Sequence, residues 1–154
     1  LTSNELPSFQ SGGVSVFPNP SRWLAAEQLP AAQVAAERAM LRRDHFREAV
    51  REDLSNGGTA GLSIVEQFGS PQAARTALAF YVAQIKAGEF GNFKSFSVHG
   101  IPGAEGLGDK QNSGVNIAFS DGPYYYLVGQ QGGGPTATAG LNAAALHLYR
   151  RVHH

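Results

Sequence analysis

Hydrophobic and polar positions fall into segments of different period along the 154-residue chain. Between 61 and 68, Leu62, Ile64, Glu66 and Phe68 alternate with Ser63, Val65 and Gln67, the period of two that a strand imposes on its faces. Upstream, Phe46, Val50 and Leu54 recur every fourth residue with the charged Glu48 and Glu52 between them. That spacing suits a helix or one face of a strand, and periodicity does not choose between them. Ser55-Asn56-Gly57-Gly58 is a turn signal, and a strand needs a neighbour. A hairpin through Asn56-Gly57 supplies one and favours strand for 45 to 54.

The clearest helix follows. Ser70 suits an N-cap, Pro71 a first helical position and Gly88 a stop, while Ala74, Leu78, Tyr81 and Ile85 form an apolar stripe. Three strands are expected next, at 93 to 99, 114 to 120 and 124 to 129, with Asp121-Gly122-Pro123 turning the last pair. Gly132-Gly133-Gly134-Pro135 then breaks the chain before a final helix ending near Val152, whose Leu141, Ala145, Leu148 and Val152 face a core. The beginning is less patterned. Residues 1 to 29 read as an extended lead with a strand-like Val14 to Phe17, the turn Pro18-Asn19-Pro20, and Trp23; a helix runs from Pro30 to about Arg43.

These elements predict an α+β fold for 30 to 152, with an antiparallel sheet of about five strands and helices mainly on one face. GLSIVEQF at 61 to 68 and GVNIAFSD at 114 to 121 echo each other, which would make two α-β-β units. His153-His154 is either the native end or a tag remnant.

Composition removes whole classes of function. The formal net charge is zero, so nothing draws the chain toward nucleic acid. The pairs Arg42-Arg43 and Arg150-Arg151 fall at expected helix ends, where the helix dipole favours cations. No apolar run is long enough to span a bilayer. There is no cysteine, which excludes disulfides, thiol catalysis and thiolate metal sites.

The stretch HGIPGAEGLG at 99 to 108 has the look of a phosphate loop but not its context. It lacks Gly-Lys-Ser/Thr opening a helix, and its glycine spacing does not match a dinucleotide fingerprint. It reads as a connection between antiparallel strands, with Gly-Ile-Pro-Gly making a tight turn. His45, His99 and His147 are dispersed without metal-ligand spacing, so no metal and no cofactor is expected. His99, at a strand end near Asp109, is the one histidine placed to serve an enzyme site. Glu48, Glu52, Asp53, Glu66 and Glu89 read as solvated charges. Tyr124-Tyr125-Tyr126 differs in kind, because successive strand residues alternate faces. One face should be core and the other aromatic surface, and Trp23 is a further aromatic anchor or contact residue.

The succession SIVEQFGSPQAARTAL, FSVHGIPGAEG, NIAFSDGPYYYLVGQ and AALHLYRRV resembles a group of uncharacterised actinobacterial extracytoplasmic domains found in secreted proteins and lipoproteins. The resemblance covers about residues 40 to 152, and Ile101-Pro102-Gly103-Ala104 and Leu148-Tyr149-Arg150-Arg151-Val152 carry most of it. It implies an α+β fold and a location outside the membrane, with any anchor in a segment absent here, and it transfers no catalytic residue. The expectation is a non-catalytic binding module for a small or lipid-like ligand or a protein partner, using Trp23, His99, Tyr124, Tyr125 and Tyr126. The partner version implies an exposed aromatic patch and a homodimer through the sheet; the alternatives are a structural or oligomerisation domain without ligand and an enzyme with its site near His99 and Asp109.

Overall fold

A computed structural model describes residues 6, 9–87, 93–109, 114–132 and 135–153. Strand β1 (Gln10–Phe17) leads into helices α1 (Pro20–Glu27) and α2 (Ala31–Arg43), then strands β2 (Glu48–Asn56) and β3 (Thr59–Gln67). Helix α3 (Pro71–Lys86) follows, then β4 (Phe93–Phe96), β5 (Glu105–Asp109), β6 (Gly114–Asp121), β7 (Tyr124–Gln131) and helix α4 (Pro135–Val152). The strands make one antiparallel sheet in the order β1-β2-β3-β7-β6-β5-β4. Among the described residues no helix is long and apolar enough to cross a membrane.

Local chemistry explains most boundaries. Ser70 Oγ accepts the Ala73 amide at 3.1 Å and caps α3, with Pro71 behind it. Asn19 caps α1 likewise, its Oδ1 3.1 Å from the Arg22 amide. Arg42 and Arg43 lie in the last turn of α2, and Arg150 and Arg151 in that of α4. The segment at 45 to 54 does enter a strand. Asn56 pairs with Thr59 across Gly57 and Gly58, whose φ values of 53° and 94° give the turn a twist that matches the strands.

The sheet has seven strands rather than about five, and both extra strands were hidden for a reason. β1 lies inside the stretch expected as an extended lead. Its strand-like Val14 to Phe17 does form strand, but nearly all of β1 is exposed on both faces and residues 10 to 13 carry no apolar pattern; α1 lies in that stretch too. β5 was read as part of the glycine-rich connection. Gly100 and Gly103, with φ of 82° and 69°, do turn the chain. Gly106 and Gly108 are strand residues instead, and the Phe96 ring lies over Gly106 where a Cβ would collide with it.

Helices α1 to α3 cover one face and α4 the other, so the helices are only mainly on one side. Both faces of β6 and β7 are apolar: Ala118, Tyr125 and Leu127 belong to the cluster under α1 to α3, and Val115, Ile117, Phe119, Tyr126 and Val128 to the cluster under α4. A sheet apolar on both sides needs cover on both. The echo of two α-β-β units does not carry through. Helix α2 is followed by two strands, but α3 is followed by four.

Candidate functional site

The face under α1 to α3 holds a polar group that its apolar pattern does not announce. On β3 the inward positions are Leu62, Ile64 and Glu66, and the sheet register places Glu66 directly opposite Tyr125 of β7. Helix α3 turns Tyr81 onto the same spot, its ring centroid 4.9 Å from that of Tyr125 at 35°. Helix α2 contributes Glu37. The Tyr81 hydroxyl lies 3.0 Å from Glu66 Oε2 and 3.1 Å from Glu37 Oε1, and both carboxyls are 1% exposed. A phenol has one proton to donate. With two carboxyl oxygens at hydrogen-bond distance, one contact must run the other way, from a protonated carboxyl to the phenol oxygen.

The electrostatics agree with that count. Burial pushes the Glu66 carboxyl well above its ordinary range, and the Glu37 charge raises it further; bonds from Tyr81 and proximity to Trp23 oppose this. Burial, then the Glu27 charge, lifts Glu37 to about 7, against the Tyr81 bond. Glu27 of α1 is also raised by burial, with Arg51 opposing at 3.8 Å. Burial and the same carboxylates raise the Tyr81 and Tyr125 hydroxyls well above the usual phenol value. The network therefore keeps a proton at neutral pH.

Beside it lies a cavity of about 230 Å³ between the sheet and helices α1 and α3. Trp23, Tyr81, Tyr125 and Ile64 form apolar walls, Glu66 reaches its lining, and Arg51 and Asn116 also border it. Trp23 is 1% exposed, its ring 5.2 Å from that of Phe17. Among the described residues its indole N–H makes no hydrogen bond of standard geometry, although it is near enough to Glu66 to favour the ionised carboxylate. Arg51, Leu62 and Asn116 also border a second groove on the same sheet face. There Gly129 lacks the Cβ that would collide with the Asn116 amide oxygen.

The expected site residues divide among three places. Trp23 and Tyr125 meet in the cavity. Tyr126 turns to the opposite face, stacked on Phe119 with centroids 4.8 Å apart, and Tyr124 sits beside it at 6.2 Å. His99 is exposed in the loop after β4, its backbone amide 3.4 Å from Asn142 Oδ1. His99 and Asp109 do not converge: Asp109 pairs with Phe93, whereas His99 lies beyond Phe96, at the other end of the β4–β5 pair. Glu66 is a correction, because it is buried rather than solvated, and so is Glu52 at 8% exposure. Glu89 lies outside the described residues. Sequence reasoning missed Glu27, Glu37 and Tyr81 as site residues. Tyr81 and Glu66 did carry a signal, a polar group in an otherwise apolar inward row; Glu37 carried none.

No protein family and no curated protein matches the chain. A solved structure does. The extracellular domain of PknH from Mycobacterium tuberculosis superposes with a TM-score of 0.60 over 98% of this chain and 92% of that one. The two share a fold. At 14% identity, the likeness extends no further than that.

Proposed function

We propose that this chain is a non-catalytic, extracytoplasmic binding module whose ligand site is the cavity between the sheet and helices α1 and α3. The observation that carries this reading is that cavity, with Trp23 and Tyr125 on its walls and a buried acid–phenol network at its side. Concave, mainly apolar pockets with a few convergent polar groups are where small ligands bind. The location outside the membrane draws support from the family resemblance of the sequence and from a similar fold serving as an extracellular domain in PknH. Native mass spectrometry of the protein from an actinobacterial host tests the reading. A retained small molecule is expected, and Leu127→Phe, which narrows the cavity, should lose it. Bare protein that no panel of amines, alcohols and fatty acids stabilises would count against a ligand site.

One feature favours a second reading, association of two copies through the sheet. The edge strand β1 exposes Val14 at 61% and Val16 at 58% and carries no charged residue. A monomer mass by light scattering at high protein concentration would dismiss it.

A further inference from the structure

We propose that the cavity selects organic cations: a protonated amine on a small apolar or aromatic body, with its ammonium seated against Glu66 in place of the proton that Glu66, Tyr81 and Glu37 hold among them. This rests on the reading that the cavity binds a ligand, and it names the ligand's chemistry.

The first support is the hydrogen-bond count at Tyr81. Two carboxyl oxygens at 3.0 and 3.1 Å around a hydroxyl with one proton require a second proton in the network. An ammonium group brings several donors and a positive charge, and so can stand in for that proton. The second support is the balance of charge around the site. The groups lining it are Glu27 from α1, Arg51 from β2, Glu66 from β3, Tyr81 from α3 and Tyr125 from β7, with Glu37 of α2 on the Tyr81 hydroxyl. Two carboxyls in the lining and a third one bond away thus stand against one guanidinium, and Arg51 is already bonded to Asp53 at 2.9 Å and lies 3.8 Å from Glu27. An anionic ligand would deepen the imbalance.

The third support comes from the aromatic walls. Trp23 lines the same cavity at 1% exposure, and its indole N–H lies near Glu66 without a hydrogen bond of standard geometry among the described residues. A buried donor so poorly paired is costly. Trp23 already favours an ionised Glu66, so a cation that displaces the shared proton gives this N–H a full carboxylate to approach. The rings of Trp23, Tyr81 and Tyr125 add the faces to which ammonium groups are drawn. Size limits the body of the ligand. An apolar cavity of about 150 Å³ holds benzene, so about 230 Å³ suits a one-ring or short-chain amine.

The exchange balances. The amine arrives as R–NH3⁺, the proton held among Glu37, Tyr81 and Glu66 leaves to solvent, and the charge of the site is unchanged. Binding should therefore release up to one proton and weaken as pH falls through about 7, where Glu37 titrates.

Trp23 is the one tryptophan in the chain, so its fluorescence reads this cavity alone. The experiment titrates the whole protein with 2-phenylethylammonium, 2-phenylethanol and phenylacetate at about pH 6 and about pH 8. The ammonium should bind about tenfold or more tightly than the alcohol at the higher pH, lose affinity at the lower one, and release protons by calorimetry in two buffers. Glu66→Gln should bring the ammonium down to about the affinity of the alcohol. Equal or tighter binding of the alcohol or the carboxylate, or an ammonium affinity indifferent to pH, overturns the proposal while the ligand-site reading stands. Silence from all three probes at millimolar concentration overturns both.

Discussion

The two faces of the sheet are built from the same strands and solve burial differently. Under α4, Phe119, Tyr126 and Tyr149 close on one another: the first pair is stacked at 14°, and Tyr149 meets Phe119 edge-on at 87°. Val115, Ile117, Val128 and Leu141 fill the space around them. Under α1 to α3, equally buried positions hold Glu37 and Glu66, and a cavity lies beside them. Burying a carboxyl without a cationic partner lowers stability, and hydrophobic replacements of similar volume usually recover it. Two such groups beside empty space suit a binding cavity, set within the larger of the two apolar clusters, whereas the face under α4 is closed.

The largest effect should come from the closed face. Phe119→Ala removes the ring that joins Tyr126 and Tyr149, and should cost about 3–5 kcal/mol in urea unfolding. Ligand response of Trp23 fluorescence should survive in conditions where the variant is folded. Loss of both together would mean that the two faces are not separable.

Next is Tyr81→Phe, which strips the hydroxyl shared by Glu37 and Glu66 and leaves both without it. A loss of about 1–3 kcal/mol is expected by denaturant titration. No measurable loss would show that the network is not held through Tyr81.

The acids themselves should move stability the other way. Glu37 has a folded pKa of about 7 against an ordinary 4.5. The folded state therefore holds more protons than the unfolded chain between those values. Its contribution is fully present below about pH 4.5 and is lost as pH rises through about 7. Glu66, raised well above 4.5, extends the decline upward. Glu37→Gln or Glu66→Gln should then raise stability above pH 7 by about 1–2 kcal/mol and flatten the slope below it. Unfolding midpoints measured across that pH range decide it, and a wild-type stability that climbs with pH would refute the assignment.

Smallest of all, Tyr124→Phe deletes only a 3.4 Å bond from Gln67 Nε2 on the half-buried rim of the closed face. A shift within about 0.5 kcal/mol is expected. A larger one would place an important polar contact on the closed face under α4.

Much of this frame was legible in the residues. The period of two through Leu62, Ile64, Glu66 and Phe68, the Asn56-Gly57 turn and the Ser70-Pro71 helix start each led to the element that forms. Local chemistry sufficed there, because capping, turn geometry and face alternation act over a few residues. β1 was legible only over Val14 to Phe17, and β5 was not. One is exposed on both faces, and in the other Gly106 serves the close approach of Phe96, a residue on the neighbouring strand. Of the candidate site, the aromatic members Trp23 and Tyr125 were singled out, whereas Tyr124, Tyr126 and His99 belong elsewhere. The acids were passed over because a lone glutamate in α2 looks like any solvated charge until α3 and β3 are packed against it.

By itself, then, the sequence determined the order and kind of most elements, the absence of thiol chemistry and the lack of net charge. These follow from composition and from interactions between near neighbours. Only the tertiary structure decided that Tyr125 and Tyr126 part to opposite faces, and that Glu37, Glu66 and Tyr81 meet. Glu37 and Tyr81 are 44 residues apart. A shared proton depends on distances of about 3 Å across three separate elements, and no local pattern in the chain encodes such a distance.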